Sequence, residues 1–354
     1  MKDNRIFNKS IHGARGLAAL LVFFSHVGAG GITENFFSDI GLGLIVAKAI
    51  LLTTQYGVEV FFMISGYLIT DSIIRHVDVR SFLLDRCIRL YPVFIPVVSL
   101  IFIVGPFVGY HYFEGVVFYQ WIGLLVMNLL FIPGVYPIEA ALVVAWSLSY
   151  EAVFYLMAAF TKKFSSARIT MVIFILIVVL PFIAFYPRAI FFVIGVALYF
   201  LHQKDKLPSI NSNITVLSSF FAFFAVLFCL QYTGPDLIDS LLFWFIAVLS
   251  GFIIFLTVVN ESSSVRWLLH SRYIQFLGTI SYSFYIWHTP VMFGTKRIFS
   301  GMSNTLGSSL SFLAFAVSSF VLALIVSYVS FLVFEDYSVK KLKGGLKNNR
   351  AAYT

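Results

Sequence analysis

Apolar runs of near-spanning length recur along this chain and leave little between them. They cover residues 14–31, 57–74, 91–109, 116–133, 142–160, 169–186, 188–202, 213–232, 237–259, 273–293 and 306–334. A helix that crosses a bilayer needs about 20 mostly apolar residues, so these runs predict an all-α, polytopic membrane protein. The segments between them are too short to fold as a separate soluble domain, and residues 1–354 are read as one integral-membrane domain with a flexible basic tail from about 340. Only 11% of the residues are charged and 60% are apolar, against about 25% and 45–50% in water-soluble domains. An ordinary soluble enzyme is excluded.

Orientation follows from where the basic residues fall. Short loops rich in Lys and Arg face the cytoplasm: the N-terminus, Arg75–Arg89, Lys162–Arg168, His202–Lys206, Arg266–Arg272 and the tail Lys340–Arg350. The loops near Thr33–Asp39 and Tyr232–Asp239 carry acids without Lys or Arg and read as external. Between Arg89 and Lys162 three runs occupy a stretch that must cross an even number of times. One of the three should therefore not span fully, and the run at 116–133 is chosen as the re-entrant or interfacial one, giving about ten spans with both termini cytoplasmic. Lys296 and Arg297 fall on the external side against this rule. Lys2, Arg5, Lys9 and Arg15 ahead of the apolar stretch of the first run, with Gly28-Ala29-Gly30 near its end, mimic a secretory signal. Ten further runs make such a signal redundant, so 14–31 is read as a retained helix. The 41 Phe residues read as lipid-facing bulk, and Cys87 and Cys229 offer neither a disulfide framework nor metal-ligand spacing.

Titratable groups inside such runs are costly and mark function. Arg15 and His26 are eleven residues apart, about three helical turns plus roughly 20° and about 16 Å of rise. They share a helix face, with His26 near mid-membrane if Arg15 sits at the cytoplasmic edge. Imidazole exchanges a proton near neutral pH, which makes His26 a candidate general base; a buried histidine satisfied by a carbonyl is the bland alternative. Arg75, Arg80, Arg86 and Arg89 form a cytoplasmic cluster ahead of Tyr91-Pro92. Guanidinium groups match phosphate oxygens bidentately, but topology signalling and attraction to anionic lipid explain the same charges equally well. Acids lie within or beside the runs at Glu59, Asp71, Glu139, Glu151 and Glu335, and His288 precedes Pro290 at depth in the run from 273.

Five segments then carry a resemblance: Arg15-Gly16-Leu17-Ala18-Ala19 with His26, Gly57 to Ile69 (GVEVFFMISGYLI), Arg86-Cys87-Ile88-Arg89-Leu90-Tyr91-Pro92, Trp146-Ser147-Leu148-Ser149-Tyr150-Glu151, and Tyr282-Ser283-Phe284-Tyr285-Ile286-Trp287-His288. In this order they resemble the membrane-bound acyltransferase family 3, the O-antigen and exopolysaccharide O-acetylases, in the stand-alone form that lacks a C-terminal esterase-like domain. The resemblance implies a bacterial inner-membrane enzyme that takes an acyl group, usually acetyl, from cytoplasmic acyl-CoA and passes it to a sugar hydroxyl at the outer face. It carries the Arg-x10-His signature onto Arg15 and His26 and the Arg-rich motif onto Arg86 and Arg89. Where the family often ends its last helix with Glu-x-Pro, this chain has Glu335-Asp336-Tyr337-Ser338, a departure that weakens any role for Glu335.

The expected catalytic set is His26 as general base with Glu59 or Glu151 orienting its ring. Acetyl-CoA, the acyl donor, is expected to dock on Arg86 and Arg89 with Arg75, Arg80 and Arg15, and the glycan acceptor on Trp146, Tyr150 and His288. Neither a metal nor a nucleic-acid partner is expected; the partners are acyl-CoA, an O-antigen, exopolysaccharide or lipid-linked saccharide, and membrane lipid. Direct transfer and a covalent acyl-histidine relay both fit the residues. A secondary transporter or polysaccharide flippase with His26 and the buried acids as a proton relay is the rival reading.

Overall fold

The computed structural model describes residues 8–31, 36–37, 42–164, 166–210, 212–232 and 237–337. Lys2, Arg5, the segments 33–35, 38–39 and 233–236 that the sequence reads as external, and the basic tail from 340 lie outside the described residues. Among the described residues the chain is all-helical, with one isolated bridge between Pro133 and Tyr136 and no strand. The helices are α1 (Lys9–Gly31), α2 (Leu42–Thr53), α3 (Gly57–Arg75), α4 (Val79–Val104), α5 (Phe118–Leu129), α6 (Ala145–Lys163), α7 (Arg168–Phe174), α8 (Leu180–Phe185), α9 (Ile190–Gln203), α10 (Asn213–Tyr232), α11 (Leu237–Val259), α12 (Ser263–Leu269), α13 (Arg272–Gly301), α14 (Ser303–Leu306) and α15 (Ser308–Ser330). Seven helical segments among the described residues are long and apolar enough to cross a membrane. The protein is a polytopic, all-α membrane protein.

Two differences from the sequence reading bear on the candidate site residues. Residues 42–53, expected to lie outside any span, form α2 and run through the 3-10 turn Thr54–Tyr56 into α3. Thr53 and Gly57 keep right-handed helical dihedrals, so the helical path from Gly43 to Arg75 is unbroken over 33 residues, about 50 Å at 1.5 Å per residue. Lys48 and the polar triplet Thr53-Thr54-Gln55 hid this path, because they interrupt hydropathy without interrupting backbone geometry. Likewise α4 begins at Val79, well before the apolar run at 91, with Asp78 capping it by accepting from the Ser81 amide at 2.7 Å. Arg80, Arg86 and Arg89, assigned to a loop by their charge, therefore lie on a helix.

The chain divides into two compact units, the first made of Met1–Thr33, Ser38–Ile74 and Ser165–Ser281, the second of Glu34–Phe37, Arg75–Phe164 and Tyr282–Thr354. In the first, glycines set the helix spacing, as expected where lipid removes the hydrophobic drive between helices and close packing remains. Gly16 on α1 faces the backbone of Ile274 and Gly278 on α13, and Gly278 faces that of His12. Gly28 meets Leu51, while Gly57 meets the Ala18 carbonyl and the Leu21 and Val22 side chains. The α2–α3 path thus descends along α1 in the opposite sense. Down α3 and α9 the contacts run in step: Glu59 with Arg188, Phe62 stacked on Phe192 with centroids 4.4 Å apart, Gly66 against the Phe192 backbone, Gly195 against the backbone of Met63, Gly66 and Tyr67, and Tyr67 with His202 at 2.5 Å. These two helices are parallel.

In the second unit, α5 has 12 residues, about 18 Å of rise, too short for a core about 30 Å thick. It covers most of the run expected not to span. Irregular backbone follows, with Phe131 at φ 56° and Gly134 at φ 91° packed on Trp146. Non-helical backbone within apolar surroundings is tolerated only when its polar groups are satisfied by protein, and four carbonyls here are answered by side chains. The carbonyl of Leu129 accepts from Tyr91 at 3.0 Å, that of Ala141 from Tyr110 at 3.0 Å, that of Val144 from Tyr285 at 3.2 Å, and that of Pro133 from the Ser149 hydroxyl. Asn128, 2% exposed, closes the segment by donating to the Tyr112 hydroxyl and accepting from the Ala141 amide at 2.9 Å each.

Candidate active site

The first unit holds Arg15 and His26, both half-buried on α1. The Nδ1 of His26 lies 2.9 Å from the Val22 carbonyl one turn back. A carbonyl only accepts, so Nδ1 carries the hydrogen and the lone pair falls on Nε2. The ring is thus set in one tautomer by its own helix. The base of α1 is tied down beside Arg15: His12 Nδ1 donates to Gln275 Oε1 at 3.1 Å, and the Gln275 amide donates to the carbonyls of Lys9 at 2.8 Å and Leu269 at 2.6 Å.

Glu59 does not take up the orienting role expected of it. It is fully buried, and its Oε1 accepts from Arg188 Nε in an ion pair. The reason is register: with Gly57 against the Ala18–Val22 turn of α1, Glu59 falls near the level of Ala18, about 12 Å along the axis from His26. Arg188 sits on the 3-10 turn Pro187–Ala189 between α8 and α9, its guanidinium 5.7 Å from the Tyr56 ring centroid. Sequence reasoning passed over it, although a single arginine between two apolar runs was a usable signal that some acid at the same depth must answer it.

The second unit gathers the arginine motif with acids. Arg86 is buried, its Nη2 donates to Asp85 at 2.5 Å, and its guanidinium lies 5.9 Å from the Phe82 ring and 6.0 Å from that of Tyr155. Arg89 lies within electrostatic reach of Tyr155, Glu151, Glu335 and Asp85. Glu151 accepts from Tyr155 at 2.6 Å, an i,i+4 pair on α6 that its spacing makes legible. Glu335, whose motif departs from the family pattern, accepts from the Ser283 amide at 3.1 Å and its hydroxyl at 2.5 Å. Arg75 and Arg80 are exposed. The four arginines expected to act together are therefore two exposed charges and two held among carboxylates.

Of the residues expected to meet a sugar, Tyr150 is buried edge-on to Trp146, ring centroids 5.4 Å apart, and His288 is fully buried with Nδ1 donating to the Phe284 carbonyl at 3.1 Å. Beside them Ser147 and Tyr285 pair through their hydroxyls at 2.7 Å. Asp71 is half-buried and Glu139 exposed.

Comparison with known proteins agrees with the motifs. The family model described as the acyltransferase domain of acyltransferase family 3 matches residues 8–332. The protein named "Putative peptidoglycan O-acetyltransferase YrhL" from Bacillus subtilis (strain 168) is 27% identical over 286 residues, 67% of this chain and 44% of that protein. The similarity thus spans less than half the length of that relative. No solved structure matches the chain. With the family model running over nearly all of it, from the base of the Arg15–His26 helix to the last span, the chain belongs to acyltransferase family 3.

Proposed function

We propose that the protein is an integral-membrane O-acyltransferase of the bacterial inner membrane that moves an acetyl group from cytoplasmic acetyl-CoA to a hydroxyl of a cell-envelope or exported glycan. The observation that carries the reading is His26: a titratable ring on a spanning helix, three turns from Arg15 on the same face, with its tautomer set so that Nε2 is basic. The Val22 carbonyl does the orienting work that an acid does in a Ser–His–Asp triad. Membership of an acyltransferase family, and the peptidoglycan O-acetyltransferase name of the relative, point to O-acetylation of a glycan.

In this reading Nε2 takes the proton of the acceptor hydroxyl as its oxygen attacks the thioester carbonyl. The C–S bond breaks, and the imidazolium returns the proton to the leaving thiolate, so CoA leaves as the thiol. In this reading the exposed Arg75 and Arg80, together with Arg86 and Arg89, hold the donor's phosphates. Purified protein given acetyl-CoA and a glycan fragment releases free CoA only when the acceptor is present. A transporter releases none, and that outcome would refute the proposal.

A further inference from the structure

The second unit carries an acid that the transfer just described leaves unused. Beyond Ser330, α15 continues as a π-helical segment, Phe331–Tyr337, that packs against α4. Its wider i→i+5 turn takes side chains out of the α register, and it bears Glu335. Two adjacent residues of α13 tie this segment to the arginine motif. The Tyr282 hydroxyl donates to the Leu90 carbonyl at 2.8 Å, while the amide and hydroxyl of Ser283 both donate to Glu335 Oε1, at 3.1 and 2.5 Å. Glu335 is thereby fastened beside α4, where its charge acts on Arg89.

A carboxylate that only clamped α15 to α13 would not need its charge. Ser283 offers neutral donors, and the oxygen of a glutamine amide accepts both without the cost of placing an ion among apolar helices. The charge therefore answers a cation. Of the other acids near Arg89, Asp85 pairs with Arg86 at 2.5 Å and Glu151 accepts from Tyr155 at 2.6 Å. Charge balance alone does not explain a third acid. Arg86 and Arg89 with Asp85, Glu151 and Glu335 carry one negative charge in excess, and an excess acid repels a phosphate. What Glu335 can add to a phosphate site is direction, since the planar fork of an arginine binds phosphate oxygens only when it is aimed at them.

We propose that Glu335 is a positioning residue of the donor site, held by Ser283 so that the Arg89 guanidinium keeps the direction in which it meets a phosphate of acetyl-CoA. The inference rests on the reading in which Arg86 and Arg89 hold the donor's phosphates. It gives Glu335 a place that does not depend on a proline two residues on, where this chain has Tyr337.

The test is calorimetric titration of acetyl-CoA into the full chain in lipid nanodiscs, with a thermal melt of each variant. Glu335→Gln keeps an acceptor for both Ser283 donors and removes the charge. Positioning predicts acetyl-CoA affinity weaker by about tenfold, the share of one charge-assisted bond. In an Arg89→Ala background the same change shifts affinity by less than about twofold, because the residue it acts through is gone. A carboxylate that only repels the phosphates makes Glu335→Gln bind more tightly, and one that only clamps helices leaves affinity unchanged while the melt falls. Either result overturns the proposal, as does an equal loss in the Arg89→Ala background. Should Glu335→Gln fail to fold, Ser283→Ala, which keeps the charge and loosens the carboxylate, is titrated in its place; weaker binding supports the proposal and unchanged affinity overturns it. Arg89→Ala that binds acetyl-CoA as tightly as wild type defeats the donor reading of the arginines instead. The melts of Arg89→Ala, Glu335→Gln and the double variant then judge the pair alone, with additive losses overturning it.

Discussion

Replacing Gly16 by alanine tests whether the seating of α1 against α13 governs both stability and turnover. A Cβ built at Gly16 lies 2.5 Å from the Gly278 nitrogen, 2.6 Å from the Ile274 carbonyl oxygen and 2.9 Å from the Leu277 carbonyl carbon. All three are backbone atoms, so no rotamer change relieves the overlap. Ordinary contact begins at 3.4 Å, so the helices must part by about 0.9 Å at this level. Overpacking of this kind costs about 1–3 kcal/mol. Gly16 adjoins Arg15 and lies on the helix that carries His26, and a displacement near 1 Å in a catalytic constellation costs up to about 100-fold in rate. The control is Gly123→Ala on α5, where a Cβ meets nothing within 4 Å. Thermal melts in detergent and acceptor-dependent CoA release from acetyl-CoA give the two readouts. Gly16→Ala should melt earlier and turn over at least tenfold more slowly than Gly123→Ala; equal behaviour of the two variants would refute the packing argument.

Three further outcomes follow from the geometry. Arg188→Ala should destabilise the protein by about 3–5 kcal/mol because it strands the buried Glu59 carboxylate, and Glu59→Gln/Arg188→Met should recover much of that loss in the same melts; additive losses would show that the pair is not coupled. Ser283→Ala removes the hydroxyl that serves Glu335 and should cost about 1–3 kcal/mol, so a melt identical to wild type would deny that the bond matters. Tyr110, in the loop after α4, has its phenol pushed up to about 12 by burial first and then by the charge of Glu139 and the nearby Tyr112. A raised phenol pKa means the folded state holds its proton longer than the unfolded state, so its contribution is full below about pH 10 and is lost as pH rises toward 12. The difference between the alkaline ultraviolet titrations of wild type and Tyr110→Phe should show this ionisation near 12, and a midpoint near 10 would contradict the burial.

Which parts of this molecule were readable in one dimension depends on the range of the interaction. The helices α10, α11 and α15 follow from long charge-free stretches, and the short α5 fell in one of the three runs among which the loop charges required one that does not span. The path α2–α3 and the start of α4 were misread for one reason: charge and hydroxyls lower hydropathy, yet Lys48, Arg80 and Arg86 hold helical dihedrals nearly as readily as leucine. Side-chain pairs within one helix, such as His26 with Val22 and Glu151 with Tyr155, follow from the 3.6-residue period. Glu59 with Arg188 does not, since 129 positions separate them and only the crossing of α3 and α9 at Gly66 and Gly195 brings them to one depth. The same holds for Glu335, whose anchor on Ser283 depends on the packing of two distant helices. The arginine motif was legible as a motif but not as an environment. Asp85 lay in plain sight beside Arg86, and its neutralising effect becomes apparent only once both are on one buried helix turn.

The most direct test of the account is acetyl transfer by His26→Ala in membranes containing equal amounts of wild-type and variant protein, followed by mass spectrometry of the glycan given acetyl-CoA. Loss of a general base that acts in the rate-limiting step predicts a drop of about 10²–10⁴-fold in acetylated glycan, with insertion and acetyl-CoA binding retained. Acetylation near the wild-type level in the alanine variant would contradict the account.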